Sequence, residues 1–173
     1  MPPFFLSVVS AEDHWMFLSS HGGLTAGRGD ANRALFPYDT DDKIRDNSET
    51  TGGKTVIRVR RGGGDALWEP FSIRGEGRFR VRRSLLKSVW GNEVWFEEEN
   101  VDLGLVFRTG WSNSRRFGWI RRSSLANTGR QRVSAVFLDG IQNIMPSGIG
   151  SDFQMRYSTL LDAYKRSERL PGS

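Results

Sequence analysis

The sequence predicts a mainly β fold, an antiparallel β-sandwich with one C-terminal amphipathic helix. Three observations predict it. Apolar and polar residues alternate with a period of two, as in "GRFRVRRSLL", where Phe79 and Val81 face one way and Arg78, Arg80 and Arg82 the other. Roughly seven to nine such runs follow one another with no helical pattern between them. A single stretch near the C-terminus then has helical periodicity and a capping signal. A closed barrel is the structural alternative.

The elements follow in order. "MPPFFLSVVS" reads as a strand, because its apolar run is too short for a secretory leader and no basic residue precedes it. "WMFLSS" is the next strand, flanked by His14 and His21. In "KTVIRVRR", Ile57 and Val59 share one face, whereas Val56 shares the other with Arg58 and Arg60. "SVWGNEVWFEE" holds Gly91-Asn92 between two β-rich runs, the mark of a tight hairpin with the favoured Asn-Gly order reversed. "DLGLVFRTGW", "RRFGWIRRSSLAN" and "QRVSAVFLDGIQNI" are further strands, separated by the turn clusters "SNSR" and "NTGR".

The helix is expected over residues 152–168. Ser151 is its N-cap and Gln154 completes a capping box. Phe153, Tyr157, Leu160, Leu161 and Tyr164 form its apolar stripe, and Pro171-Gly172 ends it. Residues 1–150 are therefore assigned to the sandwich, and residues 151–173 to a helical extension or the start of a linker. Such a wide stripe must lie on something: the sheet, an adjoining domain or a second copy of the chain.

Composition narrows the classes. The chain has no cysteine, which excludes disulfides and thiolate metal centres. No apolar run approaches the roughly 18–20 residues of a membrane span, so a soluble, cytoplasmic protein without membrane partners is expected. The net charge of +5 comes from 21 Arg against 4 Lys. A basic balance suits a polyanion, but alternating arginines also make the wet face of a sheet, and that is the preferred reading.

The stretch "HGGLTAGRGDANRALFPYDTDDK", residues 21–43, is the most unusual. A Walker-type phosphate loop needs Gly-Lys followed by Ser or Thr, whereas Gly27-Arg28 is followed by Gly29. Arg28-Gly29-Asp30 carries no mechanism without an extracellular setting. Asp39, Asp41 and Asp42 offer oxygen ligands for a hard cation, yet the glycine and distal glutamate of an EF-hand are missing. A solvated turn is the simpler reading. His14 and His21 have no third ligand or nucleophile at a recognisable spacing. Glu97 to Glu99 could supply a carboxylate pair, but three adjacent acids on a strand edge read as a solvated face. Trp111, Phe117 and Trp119, beside arginines, suit stacking on bases or sugar rings. Alternation places Phe117 and Trp119 on one face and favours the core for both. Arg28, Asp41, Asp42 and Trp111 are the candidate ligand contacts, with no cofactor and no metal expected.

Several segments in order, among them "DHWMFLSSHGGLTAGR", "ALFPYDTDDKI", "GNEVWFEEEN", "FGWIRRSSLAN", "LDGIQNIMPSG" and "LLDAYKRSE", carry a resemblance. From about residue 9 to 169 the chain resembles the amino-terminal region of large carbohydrate-active proteins similar to cellobiose phosphorylase. These belong to the glycoside phosphorylases and hydrolases with an α/α-barrel. The resemblance implies a β-sandwich of the supersandwich type, followed by a helical linker and a barrel carrying the general-acid carboxylate. The catalytic residues would then lie beyond Ser173, so none is assigned here. It also implies that residues 21–43 are a long structured loop facing a barrel or a partner subunit. The expected function is a non-catalytic sandwich module, with an oligosaccharide, the barrel or a second copy as partners. The rival is a basic β-domain for nucleic acid, disfavoured because no RRM-type aromatic-basic motif is present.

Overall fold

A computed structural model of the chain describes residues 4–61 and 64–164. Ten strands are present among these residues: β1 (Phe5–Ser7), β2 (His14–Ser19), β3 (Leu24–Arg28), β4 (Gly52–Arg61), β5 (Gly64–Trp68), β6 (Val81–Lys87), β7 (Glu93–Asn100), β8 (Leu105–Ser114), β9 (Gly118–Asn127) and β10 (Ser134–Gln142). Two α-helices accompany them, α1 (Asp41–Asp46) and α2 (Ser151–Tyr164). The strands form three antiparallel sheets, ordered β1-β2-β3, β10-β4-β5 and β6-β7-β8-β9.

The three sheets make two layers. Cross-strand pairs set Val94 beside Trp111, Phe96 beside Thr109, Glu98 beside Phe107 and Asn100 beside Leu105, all on one face of the four-stranded sheet. At one end of that face, Val94, Phe96 and Trp111 pack with Met16, Leu18, Leu24 and Ala26 of the β1-β2-β3 sheet. At the other end, Leu105 and Phe107 pack with Ile57, Val59 and Trp68 of the β10-β4-β5 sheet. The two three-stranded sheets thus lie side by side over one face of the four-stranded sheet. This is the antiparallel sandwich that the alternation predicts.

Phe71 lies at the seam between the two upper sheets and packs against both cores. Its backbone φ is +66°, a left-handed conformation that a bulky residue adopts only when its surroundings enforce it. Glu98 is one enforcing group. Its Oε2 accepts from the Phe71 N–H at 2.8 Å and from Arg83 Nε at 2.7 Å, while Oε1 accepts from Trp68 Nε1 at 2.8 Å. This overturns the solvated reading of the acidic run, since Glu98 is 1% exposed. β7 is an inner strand, and its phase turns Glu98 inward while Glu97 and Glu99 face outward to pair with Arg108 and Arg82.

A second polar clamp joins the layers. Arg121 on β9 donates Nη1 to Asp139 Oδ2 at 3.0 Å and Nη2 to Asp139 Oδ1 at 2.8 Å. Thr55 on β4 donates its hydroxyl to Asp139 Oδ1 at 2.5 Å. The guanidinium lies so close to Gly53 that a Cβ there would meet Arg121 Nε at 2.5 Å, so a side chain at this position would have to displace the guanidinium from Asp139.

Residues 21–43 are only partly a loop. β3 occupies Leu24–Arg28, a 3-10 turn follows at Ala31–Arg33, and α1 begins at Asp41. The Gly91-Asn92 hairpin is present, as the five-residue connection between β6 and β7, with Gly91 at φ +72°. The "SNSR" turn falls later than expected, because β8 runs on to Ser114 and the reversal uses residues 115–117.

The terminal helix forms, but not with the expected cap. Ser151 donates its hydroxyl to Asn32 Oδ1 at 3.0 Å. Gln154 accepts from the Tyr38 N–H at 3.1 Å and donates to the Ile149 carbonyl at 3.3 Å. Ser151 and the Gln154 carbonyl oxygen thus tie α2 to Asn32 and Tyr38, while the Gln154 amide bonds back to the connection just before the helix. The helix breaks at Tyr157, whose φ/ψ of −133°/31° is not helical. Gln154 and Leu161 are buried, whereas Phe153, Tyr157 and Leu160 are exposed, so the expected stripe is split across the break. The Tyr164 side chain, residues 165–168 of the expected helix and its Pro171-Gly172 stop lie outside the described residues.

Glu98→Gln preserves shape but removes the charge that Arg83 and the Phe71 N–H hold. A loss of roughly 2 kcal/mol is expected, in the range for a hydrogen bond to a buried charged group, measurable by urea unfolding. Acid titration should also destabilise the fold. Burial raises the carboxyls of Asp139 and Glu49, yet hydrogen bonds from Arg121, Thr55 and Ser123 to the first, and from Lys54, Ser72 and the Ile73 N–H to the second, more than offset it. Both carboxyls are therefore held below their ordinary values of 3.8 and 4.5. In that window the unfolded chain binds more protons, so this stability is present above the ordinary values and lost as pH falls through the lowered ones. Asp139→Asn should flatten the acid limb of a Tm-against-pH curve.

Candidate functional site

A cleft of about 590 Å³ opens between described residues at one end of the β2-β3 hairpin. That volume lies within the roughly 300–1,000 Å³ typical of ligand sites. Four separate segments build it: the start of β2, the end of β3 with the turn after it, the start of β9, and the connection from β10 to α2.

Each side chain has a local reason for its place. His14 opens β2 opposite Arg28, which closes β3. Arg28 is held at the rim by Asp13, both of whose oxygens accept from Nε, at 2.9 and 3.1 Å. Asp30 accepts from the Asn32 N–H at 2.9 Å and so fixes the turn that carries Asn32 and Arg33. On β9, Gly118 takes φ +68°, a conformation costly for any side chain with a Cβ, and the chain reverses there. Phe117 is thereby thrown outward to 69% exposure, with the Arg116 guanidinium 5.1 Å from its ring centre. The expectation that Phe117 is core fails for that reason, since it precedes the strand and the alternation does not reach it. Trp119 is half-buried in the cleft wall, and the His14 ring meets it edge-on at 6.2 Å.

Two residues that line the cleft, His14 and Trp119, carry buried ring nitrogens without a hydrogen-bond partner, His14 Nδ1 and Trp119 Nε1. Leaving such an atom without a partner costs about 1–3 kcal/mol.

The other sequence candidates fall elsewhere. Trp111 is 4% exposed and sits edge-on to Phe36 at 6.1 Å in the sandwich interior, away from the cleft. Asp41 and Asp42 open α1, and their side chains lie outside the described residues. Asp39 accepts from Asn47 Nδ2 at 2.9 Å, and Asn47 Oδ1 accepts from the Leu24 N–H at 3.1 Å, so this acid supports β3. No group of three or more His, Asp or Glu side chains that could hold a metal ion occurs among the described residues. His21 lies in the turn joining β2 to β3, at the opposite end of that hairpin from His14. Of the candidate contacts whose side chains are described, Arg28 lines the cleft and Trp111 does not.

A second cleft, of about 290 Å³, opens above Glu98. Arg74 and Arg78 line it together with Glu69 and Glu76, so it is mixed in charge. Glu98 at its wall already accepts three hydrogen bonds, from Trp68, Phe71 and Arg83. Among the described residues no helix is long and apolar enough to cross a membrane. No protein-family model matches the chain, and no curated protein matches it.

Proposed function

We propose that this chain is a non-catalytic β-sandwich module of a carbohydrate-active protein of the glycoside phosphorylase or hydrolase type, contacting an oligosaccharide through the cleft beside Trp119. The catalytic carboxylates of such a protein belong to an α/α-barrel that this module supports. The observation that carries the reading is the pairing of aromatic and polar surface in the 590 Å³ cleft. Pyranose rings have apolar C–H faces that stack on indole and phenyl rings, here Trp119 and Phe117. Their hydroxyls accept from guanidinium and amide donors, here Arg28, Arg33 and Asn32.

The carboxylates of the chain support the non-catalytic part. Glu97, Glu98 and Glu99 are tied to Arg108, Arg83 and Arg82. A general acid or nucleophile needs a carboxyl poised toward a cleft and free to exchange a proton. The rival polyanion reading is weakened by the same pairing. Arg28, Arg60, Arg80, Arg82, Arg108, Arg115 and Arg121 each hold a carboxylate, so much of the positive charge is neutralised where it sits.

The test is a calorimetric titration of the chain with cellobiose and cellotetraose, beside a single-stranded oligonucleotide. Saturable, salt-insensitive binding of the oligosaccharide is expected. Trp119→Ala and the exposed Phe117→Ala should each weaken it about tenfold, or ~1.4 kcal/mol. Absence of sugar binding overturns the reading. Oligonucleotide binding that falls steeply with salt replaces it with the polyanion one. Turnover of cellobiose that vanishes in Glu98→Gln would show the module to be an enzyme in its own right.

A further inference from the structure

β10 is the outermost strand of its sheet, hydrogen-bonded to β4 on one side only. An edge of this kind presents a row of backbone donors and acceptors, and monomeric proteins protect such edges with charge, proline, bulges or a covering element. β10 has none of the first two. Its sequence, Ser134–Gln142, contains no Lys, Arg, Glu or Pro. Its one ionisable side chain, Asp139, is turned inward and consumed by Arg121 and Thr55.

The exposed side chains specify what covers it. Pairing with β4 places Val136 and Leu138 on the outer face of the sheet, opposite Arg58 and Val56. It places Phe137 and Ile141 on the inner face, opposite Ile57 and Gly53. All four are exposed, Val136 at 59%, Phe137 at 57%, Leu138 at 75% and Ile141 at 42%. A helix or small molecule docked on one face would cover only half of these. A strand added along the edge covers side chains on both faces and satisfies the open backbone groups as well.

That added strand must itself be uncharged and apolar on both faces over a comparable length. β10 meets the specification. A two-fold axis brings the same strand against itself in antiparallel register, with no like charges opposed along the contact despite the +5 charge of each chain. We propose that two copies of this chain associate through β10, merging their β10-β4-β5 sheets into one continuous six-stranded layer.

Sedimentation velocity on the full chain tests this. The wild type is expected at twice the single-chain mass of 19.6 kDa. Leu138→Lys and Val136→Lys should each restore the monomer with an unchanged circular dichroism spectrum. The double substitution Phe153→Ser and Leu160→Ser on α2 should leave the dimer intact. Hydrogen exchange supplies a readout that needs no variant, because β10 amides should exchange faster on dilution while β7 amides do not. The proposal is overturned by a monomer at the highest soluble concentration. It is equally overturned by a dimer that survives both lysine substitutions, by one that the α2 substitutions dissociate, or by β10 exchange that ignores dilution.

Discussion

The sandwich depends on one buried carboxylate. Glu98 reaches from the four-stranded sheet to Trp68 at the end of β5, to the backbone of Phe71, and to Arg83 on the neighbouring β6. A carboxylate removed from water is tolerable only when its lone pairs are used, and here three donors use them. Those bonds hold Phe71 in its left-handed conformation at the seam, where its ring fills the space between the two cores, 6.1 Å from both Phe96 and Phe107. Two half-sandwiches that share only one underlying sheet are thereby fixed to each other. Arg121 and Asp139 act in the same way farther along the seam, with Thr55 completing the contact between layers.

Most of this architecture is legible in the sequence, because period-two alternation reports directly which side chains face inward. Ile57 and Val59 are buried and Arg58 and Arg60 exposed, as that period requires. Glu98 was legible too, by phase: Val94, Phe96, Glu98 and Asn100 recur every second residue, and all four are buried. Judging the run by its charge hides the signal that its spacing carries. The helix was legible in place but not in orientation. Ser151 and Gln154 have the spacing of a capping box, yet tertiary partners at Asn32 and Tyr38 compete for both side chains and win.

The cleft was hardly legible. Its walls come from segments far apart in the chain, and no local pattern announces that His14, Asn32, Phe117 and Ile149 meet. Arg28 stands out only by the glycine-rich stretch around it. Trp111 has an arginine-rich neighbourhood, but its strand phase places it with Leu105 and Phe107 in the interior. Gly118 directly after Phe117 is a local signal of the cleft, since a glycine at a strand start marks a reversal that can expose the residue before it.

The route of the chain through the layers bears on how the protein is made. β4 and β5 emerge early, but the strand that completes their sheet arrives last, after the whole β6-β7-β8-β9 meander. The Thr55–Asp139 contact spans 84 residues. Topologies dominated by such distant pairings fold slowly, because the entropy of closing a long loop is lost before the contact forms. On the ribosome, β4 must therefore wait with one side unpaired while the four-stranded sheet is synthesised, and during that interval Ile57 and Val59 lack their third strand. Chaperone engagement and the risk of aggregation should concentrate in that interval of synthesis.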